Sequence, residues 1–313
     1  MRSNQYIYNV NYNEQDYNLC NFEIGILFGQ EIEDKVLFTD KEVDPSVSPF
    51  LKNRIKIIYK EEAFNNILDL IVRDQFKADD FMVKYVPMYN RDPNIGQGKK
   101  LSKEVGLRVC GFPCFKSPKN MLGITYYQGY WYFGCLMQNN YEWRAHKQKP
   151  YSFSSSLGVD MAKVLINAAG RGDKSKRLLD ACCGVGTVIL EGVFAGYHIC
   201  GWEINPKIAE LARLNLQHYN YQAEIVTGDM KAIDNHYDAV IVDLPYNNFS
   251  HYDEEEQWDI IRHSKDIAHR LVLVTSADIK ERLHEEELKL IDCCRAEKTI
   301  KGNFTRYIWI CEK

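Results

Sequence analysis

Four short runs in this 313-residue chain combine residue types that can hold a small polar ligand. The first is DACCGVGT, residues 180–187, which follows an apolar stretch and opens a helical one. Its small residues let a ligand approach the backbone, and a helix N-terminus there favours an anionic group such as a carboxylate or phosphate. Gly184 and Gly186 form only part of a dinucleotide fingerprint, because Ile189 stands where the third glycine belongs. That argues against a nicotinamide oxidoreductase. The second is Glu203, about 20 residues on, an acid placed to bond a ribose diol. The third is Gly228-Asp229-Met230, and the fourth is Asp243-Leu244-Pro245-Tyr246. Taken singly, each reads equally well as a turn or a strand end. Together they fall at the carboxyl ends of successive predicted strands, the rim at which open α/β sheets bind ligands.

The elements that must position them alternate in type. A helix over 157–169 stops at Gly170 and Gly172. Strands are predicted at 177–182, 197–203, 223–228, 237–245 and 270–276. Helices begin at Thr187, at Pro206 in a first turn, and at the acidic run from Glu254. Residues 237–245 are apolar almost throughout, as in a strand buried on both faces. This is the pattern of a parallel sheet. Two final strands, 288–299 and 304–312, have no full helix between them, so they predict an antiparallel hairpin at the sheet edge, turning near Gly302-Asn303.

The first half reads as α+β: a strand at YIYNVNY, an amphipathic helix at FEIGILFG and a helix over 61–76. A strand at FMVKYVPMY and a short basic helix at KKLSKEVGLRVC follow. Residues 121–137 predict two strands across Gln128-Gly129, with the aromatic run Tyr126–Phe133 as hairpin core. Length predicts two domains, divided as 1–150 and 151–313, with residues 139–153 as a polar, basic linker. Net charge is -4, which excludes a globally basic nucleic-acid binder. The charge is uneven, however: residues 80–150 carry 11 Lys and Arg against 4 Asp and Glu. A local anion-binding face can hide inside such a total. No 18-residue apolar window exists and the N-terminus is too polar for a signal peptide. With 10 Cys and no zinc-ligand spacing, reduced cytoplasmic thiols and no metal are expected. His263, His269 and His284 have no ligand spacing and are expected at the surface.

Taken together, these motifs resemble class I S-adenosylmethionine-dependent methyltransferases. D-x-x-C-G-x-G-T, the acid after strand two, the GD after strand three and D-x-P-Y after strand four carry the resemblance. More closely, DACCGVGTVILEG with Glu191 at its acidic position is similar to THUMP-domain RNA methyltransferases that make N2-methylguanosine in tRNA. So is the Pro-aromatic-Ser run in KPYSFSSSLGVDMAKVLINAAG. The resemblance implies a Rossmann-like catalytic sheet in the second half and an α+β THUMP-like RNA-binding module in the first. It implies that Asp180, Cys183, Gly184, Gly186 and Thr187 hold the methionine part of S-adenosylmethionine. Glu203 would bond its ribose and Asp229 its adenine amino group, with Ile204 and Met230 against the ring.

Asp243 and the Leu244 carbonyl would then accept hydrogen bonds from the target amino group, Pro245 would stiffen the loop, and Tyr246 would stack on the target base. The family has proline where Leu244 stands, but the acceptor there is a backbone carbonyl, which leucine also supplies. Lys99, Lys100, Lys103, Arg108, Lys116, Lys119, Arg144, Lys147 and Lys149 are the candidate phosphate contacts, against the plainer reading of a solvated surface. The expected substrate is guanine N2 in tRNA. The alternatives are adenine N6, a guanine of ribosomal RNA, or a non-catalytic RNA-binding relative.

Overall fold

A computed structural model describes residues 5–32, 34–88, 92–153, 156–244, 254–298 and 304–313. In chain order the first half runs β1 (Tyr6–Val10), α1 (Tyr17–Phe28), β2 (Val36–Thr39), β3 (Leu51–Glu61) and α2 (Phe64–Arg73). Next come β4 (Phe81–Tyr85), α3 (Gly98–Gly106), β5 (Asn120–Tyr127) and β6 (Tyr130–Gln138). After a 3-10 turn at Glu142–Gln148, the second half runs α4 (Val159–Gly170), β7 (Arg177–Asp180), α5 (Thr187–Phe194), β8 (His198–Glu203) and α6 (Pro206–His218). It continues β9 (Ile225–Thr227), β10 (Tyr237–Asp243), α7 (Glu254–Ile267), β11 (Ala268–Thr275), α8 (Lys280–Glu285), β12 (Lys289–Lys298) and β13 (Phe304–Glu312).

The chain forms two compact units, and they do not part at residue 150. The first comprises residues 1–11, 30–46 and 50–140; the second comprises 12–29, 47–49 and 141–313. Helix α1 thus belongs with the second unit, against α4 and β12. Residues 141–153 of the expected linker belong there too: Trp143 and His146 are buried. They sit three apart on a 3-10 turn, where such residues eclipse one another and present one face.

The first unit is a six-stranded sheet in the order β2-β1-β3-β6-β5-β4, antiparallel except for the β4–β5 pair. Neither β2 nor β3 is expected from the sequence. Ile67, Leu68 and Ile71 of α2 and Leu101 and Val105 of α3 pack on Phe81, Leu122, Ile124 and Phe133. Of the aromatic run, Tyr127, Trp131, Tyr132 and Phe133 are buried, as a hairpin core requires. Gly134 is needed where β6 crosses β3, since a Cβ there would lie 1.8 Å from the Lys56 carbonyl oxygen.

The second unit is a seven-stranded sheet, β12-β13-β11-β10-β7-β8-β9. All neighbouring pairs are parallel except those of β13, which is antiparallel to both β11 and β12. The final antiparallel hairpin is therefore present, but its second strand lies inside the sheet; its turn, at Gly302-Asn303, is outside the described residues. Ala239–Val242 on β10 and Leu271–Val274 on β11 have no exposed surface. That is why these two strands read as unbroken apolar runs.

Helix α4 is almost wholly buried and carries two buried polar side chains one turn apart, Lys163 and Asn167. Asn167 donates to Glu23 of α1 at 2.7 Å, and Ser48 donates to the same carboxyl. Burial raises the Glu23 carboxyl to about 7, despite these donors and the nearby Lys163. A carboxyl with a raised folded pKa disfavours the folded state as it ionises. Stability should therefore fall as pH rises from about 4.5 to about 7 and stay low above that. Glu23→Gln removes this dependence, so its unfolding free energy should exceed the wild type's at pH 8 by on the order of 3 kcal/mol and match it near pH 4. Parallel denaturant titrations at both pH values check this; curves of equal pH slope would refute it.

Candidate active site

The four motifs meet at one rim of the second sheet. Asp180 ends β7 and is buried; the Ala181 N–H continues the ladder to the Ile241 carbonyl at 3.0 Å. The chain then turns through Gly184 and Gly186, both left-handed (φ +52° and +79°), before α5 begins at Thr187. The turn is held from outside itself. Cys183 N–H donates to the Trp202 carbonyl at 2.9 Å, and Gly184 N–H donates to Glu203 Oε2 at 3.0 Å. Glu203 accepts a second backbone N–H from Asn205 at 2.8 Å, and Asn205 caps α6 through the N–H groups of Lys207 and Ile208. The ribose acid expected from the sequence thus also braces the glycine turn.

Asp229 follows β9 and caps a short 3-10 turn through the Lys231 N–H at 2.9 Å. Met230 beside it is buried, while Ile204 is exposed. Asp243 ends β10, in register with Val274, and Leu244 donates its N–H to the Val274 carbonyl at 3.0 Å. Pro245 and Tyr246 lie outside the described residues. A cavity of about 590 Å³ runs between the motifs, lined by Cys182, Glu203, Ile204, Asp229, Met230 and Asp243 among others. A smaller one of about 60 Å³ is lined by Ser156, Leu157, Asp180, Cys183, Gly184, Thr187 and Asp243. Cys182 and Asp243 border both.

The electrostatics are those of an acidic pocket. Burial pushes the Asp180 carboxyl well above the usual range, and Asp243 and Glu203 push it further. Glu203 is raised by burial, against the pull of its two backbone donors. Burial and these acids also raise the Cys182 and Cys183 thiols, so neither is set up as a thiolate nucleophile. Such a pocket favours a ligand carrying positive charge.

Behind α5 lies a buried polar cluster that sequence reasoning missed. Glu191 receives His146 Nδ1 at 2.5 Å and Lys163 Nζ at 3.6 Å; all three are nearly inaccessible. The other His146 ring nitrogen faces the Tyr221 hydroxyl at 3.0 Å. The spacing W-x-x-H was the available signal. The cluster also alters the expected basic face. Lys147 pairs with Asp160 at 2.8 Å, Lys149 is partly buried, and the Arg144 guanidinium stacks on Tyr141 at 4.0 Å. These three belong to the second unit, whereas Lys99, Lys100, Lys103, Lys116 and Lys119 are exposed on the first. Arg108 there is half-buried and donates to the Glu104 carbonyl, and Lys119 pairs with Asp80 at 3.1 Å. His269 and His284 are exposed; His263 is half-buried against the Ile233 carbonyl. All ten cysteines are free. Among the described residues, no group of His, Cys, Asp and Glu could hold a metal, and no helix is long and apolar enough to cross a membrane.

This strand order, with one antiparallel strand inserted and the ligand rim at the parallel carboxyl ends, is that of the class I methyltransferase fold, and the methyl donor that this fold implies is S-adenosylmethionine. Residues 178–270 match the family model described as a methyltransferase domain. The chain is 30% identical over 131 residues to the tRNA (guanine(10)-N2)-dimethyltransferase of Methanothermobacter thermautotrophicus, covering 40% of this chain and 38% of that protein. It is 31% identical over 97 residues to a Methanothermococcus thermolithotrophicus protein named "Probable tRNA (guanine(10)-N2)-dimethyltransferase", covering 28% of this chain and 59% of that one. The chain thus spans less than two thirds of either relative. Among solved structures it is similar to TrmN from Thermus thermophilus, with TM-score 0.48 and 14% identity over 99% of both chains.

The residues present fit that donor. The cavity lies within the 300–1,000 Å³ range of small-molecule sites, and its acids suit a cationic sulfur. Asp180 and Glu203, both raised, gain protons at a higher pH than ordinary carboxyls do, and the pocket then loses negative charge. On acidification from pH 8 to pH 5, affinity for S-adenosylmethionine should fall more steeply than affinity for S-adenosylhomocysteine, which lacks the sulfonium charge. Calorimetric titration of both ligands across this range checks it; parallel pH profiles would refute it.

Proposed function

We propose that the protein transfers a methyl group from S-adenosylmethionine to the exocyclic N2 amino group of a guanosine in tRNA. The observation that carries this reading is Asp243, at the end of β10, bordering both the large cavity and the small one at the glycine turn. The two relatives named for guanine-N2 methylation of tRNA support the substrate. When bound, the donor supplies an electrophilic methyl group on a cationic sulfur.

An exocyclic amine is a poor nucleophile because its lone pair is delocalised into the ring. In this reading the Asp243 carboxylate and the Leu244 carbonyl accept its two N–H groups, orient the nitrogen and favour the tetrahedral geometry of attack. As the nitrogen–carbon bond forms, the carbon–sulfur bond breaks with its electrons going to sulfur. The nitrogen then loses one proton to Asp243 or water. Glu203 holds the ribose, and Asp229 with Met230 holds the adenine. The target base must leave its stack to reach Asp243, and Tyr246 supplies a replacement stack. The first unit acts as a THUMP-like module, with Lys99, Lys100, Lys103, Lys116 and Lys119 on phosphates, positioning RNA without reading its sequence. A cytoplasmic address belongs to the same reading.

Incubation with labelled S-adenosylmethionine and tRNA, ribosomal RNA or DNA separately, followed by nucleoside mass analysis, tests the substrate. N2-methylguanosine in tRNA is expected. N6-methyladenosine, or label in ribosomal RNA alone, would redirect the substrate, and no transfer to any would overturn the reading. Asp243→Ala should lower methyl transfer about 100-fold or more and leave S-adenosylhomocysteine binding intact; normal activity would remove the amine-orienting role. Reversing Lys99, Lys100 and Lys103 to Glu should weaken RNA binding and flatten its log–log salt dependence by about two to three. An unchanged salt titration would dismiss this face as an RNA contact.

A further inference from the structure

Asn215 lies on α6 with no exposed surface and touches none of the four motifs' acids. Its amide nevertheless joins two stretches of backbone that both reach the site. Nδ2 donates to the Val185 carbonyl at 2.9 Å and to the Tyr151 carbonyl at 2.9 Å; Oδ1 accepts the Tyr151 N–H at 3.0 Å. Toward Tyr151 the side chain thus behaves as a neighbouring strand would, with one donor and one acceptor. Toward Val185 it serves a carbonyl in the middle of a turn whose flanking glycines are left-handed, where regular ladders offer no partner. The helix is close enough to act as a wall: a Cβ on Gly186 would lie 3.3 Å from Ala212 Cβ, and Ala212 is three residues before Asn215 on the same face.

The segment that Tyr151 belongs to is anchored on its other side by His146 on Glu191. Beyond Tyr151 it leads to Ser156 and Leu157, which line the small cavity together with Asp180, Gly184 and Asp243. Glu203 braces the glycine turn from one side, and Asn215 braces it from the other.

We propose that Asn215 is a positioning residue for the methyl donor. It locks the Tyr151 backbone onto the Cys183–Gly186 turn, so that the walls of the methionine end are set before the donor arrives. This rests on the reading of that turn as the donor site. A preformed turn avoids an ordering cost on binding, so loss of the lock should fall on donor affinity and spare the transfer step.

The test uses the full chain with S-adenosylhomocysteine as the probe. Asn215→Asp keeps the shape and the acceptor for Tyr151 but replaces the one amide nitrogen that donates to both carbonyls with an oxygen facing them. It should weaken S-adenosylhomocysteine binding tenfold or more and raise KM for S-adenosylmethionine in step, with kcat at saturating donor within about threefold. Amide exchange should quicken at Tyr151, Gly184 and Val185. Asn215→Ser, which keeps one hydroxyl donor, should give a smaller shift in the same direction and serves if the Asp variant does not fold. A lowered melting temperature with unchanged S-adenosylhomocysteine affinity, or a loss confined to kcat, would overturn the proposal. If the wild-type protein itself does not bind S-adenosylhomocysteine, the donor reading fails. The amide-exchange comparison then still decides whether Asn215 orders the turn.

Discussion

A carboxyl group with no access to water must have its oxygens met by donors, or its burial is costly. Glu191 faces that constraint at the centre of the second unit. His146 meets it from the 3-10 turn and Lys163 from α4, so three separate stretches of chain converge on one side chain. One helical turn along α4, Asn167 does the same for Glu23 of α1. Helix α4 therefore holds its neighbours through a polar stripe set within an otherwise apolar surface. Burying these groups is costly, and packed hydrocarbon could supply equal stability. What hydrocarbon would not supply is direction: a hydrogen-bonded charge accepts few geometries, whereas apolar contacts accept many. Helix α5, whose first residue follows the glycine turn, inherits its placement from this arrangement.

The rim on the opposite side of α5 is arranged by a different logic. Parallel strands that end together bring Asp180, Glu203, Asp229 and Asp243 to one rim with two cavities, because each ends a strand of the same sheet or lies within two residues of its end. Burial first, and then the charges of Asp243 and Glu203, raise the Asp180 carboxyl. A pocket that holds carboxyls against their preference for separation is primed for a cation. The same feature discourages thiolate chemistry at Cys182 and Cys183.

Much of this was legible in the sequence, for a physical reason. Residues at strand ends are fixed by local chain geometry, so DACCGVGT, Glu203, GDM and Asp243 could be assigned to one rim without tertiary information. The unbroken apolar character of β10 announced burial on both faces. What stayed hidden depends on distant partners. Strand β3 carries Lys52, Lys56 and Lys60 among its apolar residues and shifts register between Ile57 and Tyr59, which blurs a period of two. Helix α1 reads correctly as a helix, yet nothing local says that its partner is α4. The stretch 139–153 is polar enough to pass for a linker, and the burial of Trp143 with the partnership of His146 and Glu191 makes it part of a core. Asn215 is likewise an ordinary helix residue until Tyr151 and Val185 are seen on either side of it.

The insertion of β13 between β11 and β12 bears on the order in which the molecule is made. A ribosome delivers β11 and β12 before residues 304–312, and until those emerge β11 has no neighbour on that side. The nascent sheet thus carries an open edge with the apolar run Leu271–Val274 at its centre, the kind that recruits stray strands. Closure comes only when β13 threads into the waiting gap and pairs on both sides at once. A strand translated after both of its neighbours is then the one that seals this sheet, so a chain stalled before residue 304 would hold the acidic rim already laid out and a sheet still unfinished.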